Sequence, residues 1–257
     1  MKKSTCTNNV PEITILVLAA SKSAQSSTTD TFPLCLTEFS GKSVLELTVE
    51  KVRQIENSEV MFTFLESDSK AFYLENISKL LVPNSRCTKI SEETKGSGCT
   101  ALLAACQIDP KRELLIVSAN EIVNVDFTKV LTNFRNRELD GGTLIFQSIH
   151  PRYSFVKLDQ DRLVVEAAQR QPISSNATAG VFWFKKTGDF VDAIKNLILK
   201  EARVDGAYFV APAFNELILN GKKVGIFELS ADDYIPVKTE QQANAFETKG
   251  GVYSNAK

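Results

Sequence analysis

The sequence predicts a single α/β domain built on a Rossmann-like, mostly parallel sheet with helices on both faces. Continuous apolar runs at residues 13–20, 60–65 and 113–117 are typical of parallel strands that are covered on both faces. Strands alternate with helical patterns through residue 137, as in βαβ units. The chain has 257 residues, enough for one large core. We therefore expect one domain over residues 13–247, with a flexible segment at 1–12 and a mobile tail at 248–257.

The first strand leads into a loop rich in serine and threonine at residues 21–31, and the first helix follows. Ser43 is placed to cap this helix, and Glu46 stands three residues later, as in a capping box. Five apolar residues then recur at helical spacing and predict one buried face. They are Val44, Leu45, Val49, Val52 and Ile55.

The remaining elements follow from the same patterns. In the first half we expect two helices, at residues 71–81 and 99–108, both between the second and the third strand. In the second half, short strands are predicted at 142–148, 154–158, 163–167, 179–185 and 223–229. Helices are predicted at 189–202, 212–219 and 240–247.

Composition narrows the classes of function. The net charge of −1 gives no overall basic field for nucleic acid. No apolar run approaches the ~18–20 residues that cross a bilayer, so we expect no membrane segment. The five cysteines are spread along the chain without C-x-x-C spacing, and His150 is the only histidine. This pattern favours reduced thiols in a cytoplasmic protein rather than a zinc site or a disulfide framework.

Ligands of doubly wound sheets bind where parallel strands end. Loops 19–32, 94–99 and 118–126 leave such ends. In this order they resemble the substrate loops of the sugar nucleotidyltransferases, the enzymes that join a nucleoside triphosphate and a sugar phosphate. The resemblance covers residues 13–247, and the chain also resembles a bacterial subgroup of capsule-synthesis proteins. It implies a nucleotide or nucleotide sugar and a small anionic acceptor as ligands, and a homo-oligomer or a biosynthetic enzyme as partner.

The resemblance assigns a nucleotide site to three segments. The first is the strand end with the loop that follows it, where the family carries G-G-x-G-T-R but this chain has neither the glycines nor the arginine. The second is a glycine-rich loop that resembles the base-binding loop, although such a loop also occurs as a helix entry without a ligand. The third is the end of the next strand. The residues are Leu18, Ala19, Ala20, Ser21, Lys22, Gly96, Ser97, Gly98, Ala119 and Asn120.

The resemblance also assigns a sugar or acceptor site. Gln169 and Arg170 stand where the family has the acid and the base of its E-K-P segment, and residues 176–180 resemble its N-A-G strand start. A histidine and an arginine in the preceding turn suit an anionic acceptor. The predicted residues are Glu121, His150, Arg152, Arg170, Asn176, Thr178 and Gly180.

Several residues that the family reaction needs are replaced. Phe32 occupies the catalytic lysine position, Asn120 the position of a magnesium-binding aspartate, and Pro236 lies close to the position of the second. Glu121 and Asp126 are nearby in sequence and are candidates to hold Mg²⁺ or Mn²⁺; the alternative is that both are solvated loop carboxylates.

The sequence leaves three functions open. The first is a divergent nucleotidyltransferase-like protein of surface polysaccharide biosynthesis, which binds a nucleotide or nucleotide sugar with weak or lost pyrophosphorylase activity. The second is a metal-dependent glycosyltransferase of the related GT-A type, with residues 124–126 as a D-x-D-like site. The third is a non-catalytic partner subunit of a polysaccharide-synthesis complex. Whether the chain is an enzyme is not decided by its sequence.

Overall fold

A nine-stranded mixed sheet forms the centre of the part that the computed structural model describes, residues 12–20, 32–39, 41–91, 94–230 and 233–236. The predictions for residues 1–11, 21–31 and 240–257 lie outside these ranges. The strands are β1 (Ile13–Leu18), β2 (Glu38–Phe39), β3 (Lys42–Ser43), β4 (Ser58–Leu65), β5 (Arg86–Ile90), β6 (Glu113–Ser118), β7 (Glu121–Val123), β8 (Gly141–Gln147), β9 (Ser154–Leu158), β10 (Val164–Gln169), β11 (Asn176–Phe184), β12 (Val224–Glu228) and β13 (Tyr234–Pro236). The helices are α1 (Val44–Val52), α2 (Glu66–Ala71), α3 (Leu74–Leu81), α4 (Ser97–Ala105), α5 (Phe127–Asn136), α6 (Thr187–Leu199) and α7 (Ala213–Leu219).

The predicted parallel centre of the sheet is confirmed. Strands β6, β1, β4 and β5 lie side by side and run parallel. Their register aligns Leu18 with Thr63 and with Ser118, so the carboxyl ends of three strands meet at one edge. Strand β11 joins β6 in the opposite direction and leads into the antiparallel strands β8, β9 and β10. The second half of the chain therefore builds a wall beside that edge.

Both faces of the central strands are buried, as their continuous apolar runs predict. In β1, Ile13, Ile15 and Val17 pack into the core on one face, and Leu16 and Leu18 pack into the core on the other. Burial of each such side chain stabilises the fold by about 1.5–3 kcal/mol relative to exposure. Among the described residues, no helix has the length and apolar character that crossing a membrane requires.

Helix α1 begins with the predicted capping box. The amide of Glu46 donates to Oγ of Ser43 at 3.2 Å, and the amide of Ser43 donates to the Glu46 carboxylate at 2.7 Å. All five residues of the predicted apolar face are buried. Local sequence therefore determines where this helix starts and which face it buries.

Local pattern misplaced one boundary and missed several elements. The helix expected at residues 71–81 begins at Leu74, as α3, because the backbone of Tyr73 is left-handed with φ 53°; the preceding helix α2 was not predicted. Strands β2, β3, β5, β7 and β13 were not predicted. Strand β5 lies at the sheet edge and is mostly half-buried, so its pattern is polar, and β7 has only three residues.

Candidate functional site

A cavity of about 460 Å³ lies at the edge where the parallel strands end. Leu18, Leu65 and Ser118, from the ends of β1, β4 and β6, form its floor. The amino-terminal turn of α4 forms one side, and the ends of β9 and β10 with the bulged part of β11 form another. This is the place where open α/β sheets bind ligands.

The structure brings half of the predicted nucleotide-binding residues to this cavity. Leu18, Ala20, Gly96, Ser97 and Asn120 line it. Ala19, Gly98 and Ala119 are buried and do not line it. Ser21 and Lys22 lie outside the described residues.

The glycines of the loop before α4 approach protein backbone. A side chain at Gly96, whose φ is +96°, would collide with the carbonyl oxygen of Tyr208, and Gly98 packs against the same residue. The amide of Gly98 donates to the carbonyl of Tyr208 at 2.9 Å, and the amide of Tyr208 donates to the carbonyl of Lys95 at 2.8 Å. The sequence analysis expects these glycines to let a nucleotide come close to the backbone. In the structure, Gly98 instead lets the backbone of Tyr208 come close.

This contact fixes a wall that sequence reasoning missed. Phe209, Val210 and Ala211 follow Tyr208 and line the cavity. Their segment has no strand or helix periodicity, and its contact with residues 95–98 spans more than 100 residues of sequence. No local signal marks it as part of a site.

Most of the predicted acceptor residues also line the cavity. Glu121, Arg152, Arg170, Thr178 and Gly180 do so, together with Tyr153, Ser154 and Gln169.

Two predicted acceptor residues do not reach the cavity. His150 is exposed, and its Nδ1 accepts the amide N–H of Arg152 at 3.3 Å, so it shapes the turn that presents Arg152 and Tyr153. The side chain of Asn176 lies at the start of β11, where its Oδ1 accepts a hydrogen bond from Gln147. Both side chains thus have structural contacts, and their expected acceptor role stays a prediction.

The two arginines come from the same end of the β9–β10 hairpin. Gln169 pairs with Ser154 in register, and the amide of the next residue, Arg170, donates to the carbonyl of Tyr153 at 2.9 Å. The guanidinium of Arg152 lies 4.7 Å from the centre of the Tyr153 ring and donates to its hydroxyl at 2.6 Å. Both arginines thus stand on one wall.

Neutral side chains and one acidic side chain hold these arginines. Arg170 forms an ion pair with Asp205 at 2.7 Å and lies 5.6 Å from the centre of the Phe209 ring. Below the arginines, the hydroxyls of Ser154 and Thr178 are hydrogen-bonded at 2.6 Å.

Glu121 is a buried acid, 7% exposed, at the start of β7. It lies against Gly180, where β11 is bulged and φ is +67°; a side chain there would collide with Oε2 of Glu121. Strand β13 pairs with β7 and places Tyr234 nearby. Burial raises the pKa of the Tyr234 hydroxyl well above its usual value of 10, and the charge of Glu121 and the neighbouring Tyr153 raise it further.

The carboxylates do not form a metal-binding group in the described residues. Asp126 does not line the cavity; its Oδ1 caps α5 by accepting the amides of Thr128 and Lys129. No group of three or more His, Cys, Asp or Glu side chains comes together in the described part of the chain. The structure thus shows a capping role for Asp126, and the hypothesis that it holds a metal stays a prediction.

Comparison with known proteins identifies the fold. No protein-family model and no curated protein matches this sequence. A nucleoside-diphosphate-sugar pyrophosphorylase from Vibrio cholerae RC9 is 18% identical over 90% of this chain and 98% of its own, with a TM-score of 0.73. A provisionally assigned glucose-1-phosphate thymidylyltransferase from Bacillus anthracis is 14% identical over 95% and 98%, with a TM-score of 0.75. A UDP-glucose pyrophosphorylase in complex with UDP-glucose is 12% identical over 92% and 98%, with a TM-score of 0.69.

The chain has the sugar-nucleotidyltransferase fold. The chain covers 98% of each of these three structures. The cavity of this sugar-nucleotidyltransferase fold is lined by residues from all three loops that the sequence marked at the strand ends.

Proposed function

We propose that this protein binds a nucleotide or nucleotide sugar in the cavity at the strand ends, with weak or lost pyrophosphorylase activity. The observation that supports this most directly is the wall formed by Arg152 and Arg170 beside the amino-terminal turn of α4. Guanidinium groups bind phosphate through two parallel N–H donors, and a helix amino terminus adds backbone N–H groups and a favourable dipole. A role in cytoplasmic assembly of surface polysaccharide is part of this proposal and rests on the family resemblance.

The nucleotide end of the ligand fits the side of the cavity near α4. Thr94, Ser97 and Thr100 line it with hydroxyl groups, and the Thr94 and Thr100 hydroxyls lie 3.2 Å apart. Leu18 and Ile116 add apolar surface beside them. Flat apolar contact with a few hydrogen-bonding groups is typical of sites for small organic ligands.

Loss of turnover follows from the residues at the positions that carry charge in the family reaction. Phe32 packs edge-on against Phe72 with ring centres 5.5 Å apart, and a phenyl ring cannot neutralise phosphate. Asn120 lines the cavity where the resemblance expects an aspartate, and no lysine is found among the described residues that line it. Removing one well-placed electrostatic group costs ~100-fold or more in rate.

A thermal-shift screen tests the proposal. The protein is heated with CTP, UTP, dTTP, GTP, ATP, UDP-glucose and dTDP-glucose, each with and without Mg²⁺. A ligand that binds only the folded state stabilises it by about 2.7 kcal/mol at a hundredfold excess over its dissociation constant. We expect a rise in melting temperature with at least one of these compounds.

A pair of variants shows whether the shift comes from this cavity. Ser97→Phe places a ring in the cavity and should abolish the shift. Ser67→Phe makes the same change on the exposed surface of α2 and should keep it. Flat curves for every compound would contradict nucleotide binding and would favour the non-catalytic partner subunit. Manganese-dependent hydrolysis of a donor sugar that is lost in Asp126→Ala would favour the glycosyltransferase, but the capping role of Asp126 argues against it.

A further inference from the structure

The acidic residues around the cavity do not match a magnesium site held by two carboxylates. Of the described residues that line the cavity, Glu121 is the one with a carboxylate. Asn120 occupies one expected aspartate position, and the register of β13 puts Pro236 opposite Glu121, close to the other. Mg²⁺ in nucleotide sites is usually bound by one or two carboxylates together with phosphate oxygens.

The one carboxylate among the described residues that line the cavity is largely enclosed by protein. Glu121 is buried against Gly180, and Tyr234 and Tyr153 lie beside it closely enough for its charge to affect the pKa of Tyr234. Asp126, the nearest acid in sequence, accepts two backbone amides at the start of α5. Among the described residues, a magnesium ion bound to phosphate in this cavity would therefore find one carboxylate, that of the buried Glu121.

Two arginines bring positive charge to the cavity. Arg152 lies two residues before β9 and Arg170 follows the last residue of β10, so both belong to the same end of the hairpin. Asp205 pairs with Arg170 but is itself exposed, whereas Arg152 lies over the ring of Tyr153 and donates to its hydroxyl.

We propose that Arg152 and Arg170 take the place of the metal ion, so that the diphosphate of a nucleotide sugar binds this cavity without a divalent cation. This inference rests on the proposed function and specifies its chemistry. Two guanidinium groups supply positive charge in a fixed fork geometry that fits phosphate oxygens, and they carry that charge without a bound cation.

Isothermal titration with UDP-glucose and with dTDP-glucose tests the inference, once in EDTA and once in excess MgCl₂. For the compound that binds, we expect dissociation constants in the two buffers that agree within a few-fold. In EDTA, Arg152→Gln and Arg170→Gln should each weaken binding about 10-fold to 100-fold, the range for loss of one hydrogen bond to a charged group. Lys157→Gln removes a positive charge from the exposed face of the same hairpin and should leave binding unchanged.

The salt dependence of wild-type binding in EDTA provides a test that does not depend on the folding of any variant. Binding through two guanidinium groups should weaken steadily as NaCl is raised, because salt screens their attraction for phosphate. Binding that requires MgCl₂ would overturn the inference and leave the proposed function standing. Arginine variants that fold and bind like the wild type in EDTA would also overturn it. Absence of binding by both nucleotide sugars in both buffers would overturn the inference and the proposed function together.

Discussion

Gly180 lies against Glu121, and the space that a side chain at residue 180 would need is occupied by Oε2 of that acid. The contact exists because β11 is bulged between Thr178 and Phe182, which gives Gly180 a φ of +67°. A short irregularity in one strand thereby makes room for a buried acid at the edge of the cavity.

Gly180→Ala should destabilise the protein more than the same change at an open position. An alanine at residue 180 must keep a left-handed backbone, which costs about 1–2 kcal/mol, and its side chain also collides with Glu121. Gly206→Ala is the matched control, since Gly206 has φ +77° and nothing within 4 Å of the added carbon, so it adds strain alone. Urea unfolding measures the difference. Equal losses in the two variants would show that Glu121 can move aside without cost.

Stability should fall at alkaline pH because of Tyr234. The pKa of its hydroxyl is raised well above 10 in the folded protein, chiefly by burial, whereas in the unfolded chain it ionises near 10. Its contribution is present below about pH 10 and is lost as the pH rises above that value, because ionisation then favours the unfolded state. In Tyr234→Phe the decrease in unfolding free energy between about pH 9 and pH 11 should be shallower. A parallel decrease in both proteins would contradict this prediction.

Stability should fall at acidic pH through the capping box of α1. The amide and hydroxyl of Ser43 donate to the Glu46 carboxylate and hold its pKa below the usual 4.5. The contribution of the ionised acid is present above about 4.5 and is lost as the pH falls through the lowered value. Glu46→Gln should therefore flatten the acid side of the stability profile, measured by urea unfolding at several pH values. Glu38→Gln, an exposed change without a cap, should leave that profile as in the wild type.

Asp205→Asn should strengthen ligand binding while changing stability little. The Asp205–Arg170 ion pair is exposed on both sides, and such pairs contribute at most about 1 kcal/mol to stability. Removing the acid leaves the full charge of Arg170 to a bound phosphate, so the dissociation constant for the nucleotide sugar should fall severalfold in titration calorimetry. Asp192→Asn, on the exposed face of α6, is the control for a change in net charge. Unchanged or weaker binding in Asp205→Asn would show that the pair positions Arg170.

Sequence reasoning succeeded where a structure is determined by nearby residues. The apolar runs of β1, β4 and β6 can form only strands that are buried on both faces, and the capping box at Ser43 specifies the start of α1 within a few residues of chain. The three strand-end loops could also be located, because parallel strands bring their carboxyl ends to one edge.

It failed where a contact joins distant parts of the chain. Phe209 becomes part of the cavity only because Tyr208 is hydrogen-bonded to the loop at residues 95–98. The roles of His150 and Asp126 depend on backbone amides that neither residue type reveals by itself. Such arrangements depend on tertiary packing, which a pattern of residue types does not encode.

The pairing of β7 with β13 has a consequence for synthesis on the ribosome. Residues 121–123 can pair with residues 234–236 only after both segments have been translated. More than 100 residues are therefore made between β7 and the docking of Tyr234 beside Glu121. The central parallel strands are complete much earlier, and long-range pairings form slowly because loop closure must precede them. A nascent chain therefore passes through a stage in which the central strands have been made but Glu121 still lacks its neighbour Tyr234. The buried acid at the edge of the cavity gains its full enclosure only after residue 236 has left the ribosome.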